Sequence, residues 1–199
     1  MKDRETRSFT LDEIKIEQRA DGKRLIRGHA AVFNQLSEDL GGWREQIAPG
    51  AFAEAIKGDD VRALFNHNSD LILGRNLAGT LKLAEDTRGL AIELDPPDTQ
   101  AGRDLIVSME RGDVTQMSFG FSVRPNGQNW GKRDDGQVVR TLTRLRLFDV
   151  SPVVFPAYPQ TDVAVRELRS WQQGDVDAIT AAAAAAQIAL RRRALDLAI

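Results

Sequence analysis

Met117-Ser118-Phe119-Gly120-Phe121-Ser122-Val123 alternates large apolar and small residues at every step. A strand sends successive side chains to opposite faces. Met117, Phe119, Phe121 and Val123 therefore share a core-facing side, while Ser118, Gly120 and Ser122 share the other. C-terminal to this strand, a polar glycine-rich stretch from Pro125 to Gly136 ends in Asp135-Gly136, a hairpin signal. Val138 to Val150 alternates again and reads as one long strand, after which Pro152, Pro156 and Pro159 break the pattern. N-terminal to it, Ala101, Leu105 and Met109 repeat at helical spacing, with Asp98 or Thr99 as cap and Gly112 as stop.

Farther out, Leu77 to Leu83 and Gly89 to Leu94 read as paired strands and Val61 to Asn66 as a buried one. Pro49-Gly50 introduces a short helix, Ala51 to Lys57, ended by Gly58. Ser8 to Val32 reads as two strands around a turn at Ala20-Asp21-Gly22-Lys23, and the residues from Phe33 to Gly42 as a loop. Many strands with a few interposed helices predict a mixed, mostly β fold, a small barrel or packed sheet decorated by helices. From Ser170 the character changes. Gln172-Gln173-Gly174-Asp175 reads as a linker, and the alanines of Ala181 to Ala186, ahead of Arg191-Arg192-Arg193, read as a helix. The expected division is a domain over 1–169 and a helical tail over 170–199.

The 199 residues carry 27 Lys+Arg against 29 Asp+Glu, so no overall basic field argues for nucleic acid. With no cysteine, disulfides, thiolate metal sites and cysteine nucleophiles are excluded. The two histidines stand far apart, no acidic cluster has ligand spacing, and no phosphate-cradling glycine loop is present, so neither metal nor cofactor is expected. The N-terminus lacks the apolar run of a signal peptide, and the alanine-rich segment is too short to span a bilayer, which predicts no membrane partner.

An imidazole chemistry has only His29 or His67 to use. His29 sits within a strand-like Gly28-His29-Ala30-Ala31 and reads as a packed or surface residue. His67, in Asn66-His67-Asn68 at a strand end, is either a polar loop histidine or a base presented by a rigid scaffold. Ser118 is either a solvent-facing strand serine or a nucleophile, with Gly120 on the same face leaving room for a substrate backbone. Asp149 falls on the apolar face of Val139, Thr141, Thr143, Leu145 and Leu147. It marks the strand end, sits beyond a bulge, or is a paired carboxylate that orients an imidazole. Arg140, Arg144 and Arg146 share the opposite face, which reads as solvated.

Taken in order, Gly28-His29-Ala30-Ala31-Val32-Phe33-Asn34, Ile47-Ala48-Pro49-Gly50-Ala51-Phe52, Asn66-His67-Asn68, Leu73-Gly74-Arg75, Gly79-Thr80-Leu81, Arg111-Gly112-Asp113, Met117-Ser118-Phe119-Gly120-Phe121, Asp149-Val150-Ser151-Pro152-Val153 and Pro156-Ala157-Tyr158-Pro159 closely resemble the tailed-phage prohead (capsid maturation) protease family. The resemblance spans roughly Arg7 to Arg166. It implies a serine endopeptidase related to the herpesvirus assemblins, with an assemblin-like β-barrel surrounded by helices. It also implies His67 as base, Ser118 as nucleophile and Asp149 as acid, where many relatives carry Glu; Asp60 and Asp70 are the alternatives for the acid. The implied partners are the major capsid protein and its scaffolding segment inside the procapsid, in the host cytoplasm. Self-cleavage is expected within Ser170 to Ile199, and self-association is left open. The competing readings are a non-catalytic capsid-assembly or scaffold-binding module on the same barrel and, third, a serine esterase. The absence of a Gly-x-Ser-x-Gly elbow counts against the esterase.

Overall fold

A computed structural model describes residues 4–10, 15–20, 22–155, 164–177 and 181. The chain divides into two compact units, Met1–Pro159 and Gln160–Ile199. In the first unit the strands are β1 (Glu5–Thr10), β2 (Lys15–Gln18), β3 (Arg24–Val32), β4 (Trp43–Ile47), β5 (Arg62–Phe65), β6 (Asn68–Arg75), β7 (Leu81–Glu85), β8 (Gly89–Leu94), β9 (Gln116–Val123), β10 (Gln128–Lys132), β11 (Val138–Leu142) and β12 (Leu145–Val153). Helix α1 (Ala53–Gly58) follows β4, a 3-10 turn (Asn76–Ala78) follows β6, and α2 (Gln100–Glu110) precedes β9, its first turn capped by the Thr99 side chain.

Three sheets result, with strand orders β1-β9-β12-β5-β6, β10-β11-β4 and β2-β3-β8-β7. The mostly β expectation holds, but the barrel does not. Closure needs each sheet edge to find a partner, and among the described strands β1, β6, β10, β4, β2 and β7 remain edges. The core lies where these sheets and α1 meet. Phe119 and Phe121 on β9 pack at 5.0 Å, Phe119 meets Phe52 edge-on at 5.5 Å, and Ile26, Leu90, Leu94, Leu145 and Val150 close around them. Burying a side chain of this size stabilises by about 1.5–3 kcal/mol, and that holds β9 in place from one side while leaving its Ser118 face free of core duty.

Two long strands of the sequence reading divide. The first strand of the Ser8 to Val32 pair is instead β1, which starts at Glu5, and β2, in different sheets; only β2 forms the expected hairpin with β3. Val138 to Val150 becomes β11 and β12, broken where Thr143 and Arg144 both donate backbone hydrogen bonds to the Gly127 carbonyl. Three strands were not expected: β4, β6 and β10.

The face assignments on β11 also change. Arg140 is not solvated but fully buried, stacked 5.9 Å from Trp43 and 5.8 Å from Trp130. It bridges Glu5 and Glu45, and Arg7 bridges the same two carboxylates from the other side. Two acids and two bases thereby neutralise one another inside the protein, which is what makes buried charge tolerable. Burial pushes the Glu5 carboxyl upward, yet Arg140 and Arg7 outweigh it and hold the group below its ordinary range.

In the second unit residues 164–177 are helical, so residues 172–175, read as a linker, lie in a helix. The side chain of Gln173 donates to Asp177 one turn on, at 3.0 Å, and a single glycine costs a helix only about 1 kcal/mol. The arginine cluster of the tail and most of its alanine run lie outside the described residues.

Candidate active site

Two backbone devices bring the candidate residues to one sheet face. The first is a hairpin tip. Phe65 pairs with Asn68, leaving Asn66-His67 as a two-residue connection between β5 and β6, with φ of +52° and +57°. A tight hairpin favours positive φ at both central positions; Asn and His are among the non-glycine residues that adopt it most readily. Asn66 then ties the tip to the end of β12. Its amide donates to the Pro152 carbonyl at 3.0 Å, and its Oδ1 accepts from Val154 at 2.9 Å. The imidazole of His67 is thus carried back over the sheet instead of out into solvent.

The second device is a β-bulge. Along β12, Leu147 pairs with Phe121 but Asp149 pairs with Gly120, so the register slips at Phe148. By simple alternation Asp149 would share the core face of Leu145 and Leu147. One inserted residue moves it to the opposite face, beside Gly120 and, through Ser151, opposite Ser118.

The three side chains meet there. His67 Nε2 lies 2.7 Å from Ser118 Oγ, and His67 Nδ1 lies 2.5 Å from Asp149 Oδ2. Ser151 Oγ donates to the same Oδ2 at 2.7 Å, and the Arg4 guanidinium donates to Oδ1. Asp149 is only 1% exposed. Burial pushes its carboxyl upward, but the donors His67, Ser151 and Arg4 prevail and hold it below the usual carboxylate range, so it is a carboxylate at neutral pH. An ionised acid at Nδ1 fixes the tautomer with its proton there and leaves Nε2 free to accept from a hydroxyl. The Ser118 hydroxyl, however, also lies 2.9 Å from the Arg7 carbonyl oxygen and has one hydrogen for two acceptors.

Asp60 is paired with Arg62 and Arg75, and the Asp70 amide is tied to Asn68; neither carboxylate is bonded to His67. His29 bonds Asp86 at 2.8 Å, away from the triad. Gly120 does not face an open substrate channel. A Cβ built on it would stand 2.2 Å from Asp149 Oδ1 and 2.9 Å from the Arg4 guanidinium. Gly120→Ala is therefore expected to push the carboxylate out of line and slow reaction at Ser118 by about 10²-fold, the scale of an ångström's misplacement. The far-UV spectrum should stay unchanged, because the core side of β9 is untouched. An alanine variant that reacts as fast as the parent would contradict it.

Sequence reasoning missed Arg4, Ser151 and Asn66. Asn66 had a readable signal, Asn-His between two apolar runs as a hairpin tip. Ser151 follows from Asp149 by i, i+2 once the bulge is known. Arg4 carries no signal, since its partner is 145 residues away. Among the described residues no group of three or more His, Asp or Glu is arranged to hold a metal ion. A cavity of about 630 Å³ lies elsewhere, lined by Lys23, Arg24, Asp95, Pro97 and Arg103, and contains none of the three.

The chain is 30% identical over 186 residues to the prohead protease of Enterobacteria phage HK97, an alignment covering 85% of this chain and 77% of that protein. The solved structure of the bacteriophage T4 capsid assembly protease aligns with a TM-score of 0.49 at 8% identity, over 76% of this chain and 97% of that one. Residues 11–175, which include His67, Ser118 and Asp149, match the family described as Caudovirus prohead serine protease. The chain belongs to that family.

Proposed function

We propose that this protease of capsid maturation is a serine endopeptidase of the Ser-His-Asp type, with Ser118 as nucleophile, His67 as general base and Asp149 as the orienting acid. The observation that carries the reading is the unbroken line of contacts from Ser118 Oγ to His67 Nε2 at 2.7 Å and from His67 Nδ1 to Asp149 at 2.5 Å. A serine hydroxyl attacks poorly unless a base takes its proton as the bond to the carbonyl carbon forms. His67 takes that proton at Nε2 and becomes an imidazolium, which the Asp149 carboxylate stabilises. The same nitrogen then returns the proton to the leaving amine, and an acyl ester remains on Ser118. Water, deprotonated by His67 in turn, releases the second product and restores the hydroxyl.

The substrates in this reading are the major capsid protein with its scaffolding segment and the chain itself, cleaved inside the procapsid in the host cytoplasm. The family match and the HK97 relative support it. Kinship with the herpesvirus assemblins is part of the same proposal, supported by the ordered phrases of the sequence. Treatment with a fluorophosphonate, followed by peptide mapping, tests the chemistry. The adduct is expected on Ser118 and absent from Ser118→Ala; an adduct on another serine would overturn the assignment.

A further inference from the structure

We infer that β1 is a built-in mask over the active site, holding the enzyme latent until the strand is displaced; the inference rests on Ser118 being the nucleophile. Three observations converge on this one segment. Ser118 is completely buried, so no peptide carbonyl reaches its hydroxyl as the chain stands. β1 pairs with β9 directly at the nucleophile, Ser8 opposite Ser118 and Arg7 opposite Phe119, and the Arg7 carbonyl lies 2.9 Å from Ser118 Oγ. When the single hydroxyl hydrogen points to that carbonyl it is withheld from His67 Nε2. Arg4, just ahead of β1, donates to Asp149 Oδ1 and sets a fixed positive charge beside the carboxylate that must stabilise the imidazolium. Each polar contact that Arg4 and the Arg7 backbone make at the triad thus competes with a step of the reaction.

The fold also allows the strand to leave. β1 is the edge of its sheet, so its departure divides nothing. Its buried charged side chains are Glu5 and Arg7, one of each sign. When they go, Arg140 keeps Glu45 at 2.9 Å and Gln128 at 2.6 Å, and the interior is left with a matched pair instead of an orphaned charge. The family match begins at residue 11, immediately after β1 ends.

The test uses the full chain with a recognition sequence for a site-specific protease inserted between Thr10 and Lys15, and fluorophosphonate labelling of Ser118 as the readout. Cutting is expected to raise the labelling rate about tenfold or more, as when the competent state is populated a tenth of the time or less. A synthetic peptide of residues 1–10 added in excess should lower the rate again. A cut chain that keeps its far-UV spectrum and labels at the uncut rate would overturn the mask. Arg4→Ala in the intact chain gives a second reading: with β1 still paired to β9 its labelling rate should stay well below that of the cut chain, and a rate equal to the cut chain's would place the block at Arg4 alone and overturn the mask. Absence of Ser118 labelling in every form would overturn the nucleophile assignment, whereas labelling that ignores β1 overturns the mask alone.

Discussion

Ser118→Ala is expected to lower trimming of the co-expressed capsid protein by on the order of 10⁶-fold, and His67→Ala by about as much, because a nucleophile and its base act as one unit. The double variant should then be no worse than either single one. In the proposed mechanism the hydroxyl supplies the attacking oxygen, and among the described residues the imidazole is the only side-chain base bonded to it, at 2.7 Å. Removing either leaves only binding and whatever polarises the substrate carbonyl. The fold should tolerate Ser118→Ala, since the residue's apolar neighbours Met117 and Phe119 remain on the core side of β9. Particle assembly can therefore be scored separately from trimming. A Ser118→Ala chain that trims at the parental rate would remove the endopeptidase reading and favour a module that binds capsid or scaffold without cutting it.

The β9 strand and the Ser118 and His67 positions were legible because local chemistry and tertiary structure agree there. The alternation of β9 survives intact, with Met117, Phe119 and Phe121 all fully buried. Thr99, the Asp135-Gly136 turn and Gly112 end or begin elements where their side chains or positive φ predict. Legibility failed where a long-range partner overrules the local pattern. β4 reads Trp43-Arg44-Glu45-Gln46-Ile47 and its buried face includes Glu45, so apolar alternation does not reveal it. Glu45 is inside only because Arg7 and Arg140, from two other strands, are inside with it. The same long-range pairing puts Arg140 inside, where local alternation points it to solvent. The open sheets differ from the expected barrel because edge pairing is a property of the assembled strands and leaves no mark on any one of them. Asp149 is the instructive case. Its residue type pointed to an imidazole partner, while strict alternation placed it on the wrong face, and one bulge residue, fixed by how β12 meets β9, reconciles the two.

Asp149→Asn should lower the trimming rate by about 10²–10³-fold, the scale of losing one preorganised electrostatic partner, and by about 10⁴-fold only if the imidazole is left in the wrong tautomer. The site explains why so small a change is so damaging. All three of its partners are donors: His67 Nδ1–H and Ser151 Oγ–H on Oδ2, and the Arg4 guanidinium on Oδ1. A carboxylate accepts from all of them; an asparagine must turn an NH₂ toward one side. With the NH₂ in place of Oδ2, two donors face a donor. The relief is for His67 to move its proton to Nε2, where it can no longer accept from Ser118. With the NH₂ in place of Oδ1, the tautomer is kept, but the amide donor confronts the donors of the Arg4 guanidinium and the imidazolium loses its counter-charge. Arg4 is 28% exposed and can swing toward water, so the second arrangement costs less to build and is the expected one. The variant then keeps the ordering of His67 while losing the electrostatic support that burial makes valuable. It should fold and bind as the parent does, and fail at the proton transfer. Near-parental trimming by Asp149→Asn would show that the orienting charge comes from elsewhere, since among the described residues Asp149 is the carboxylate bonded to His67 Nδ1.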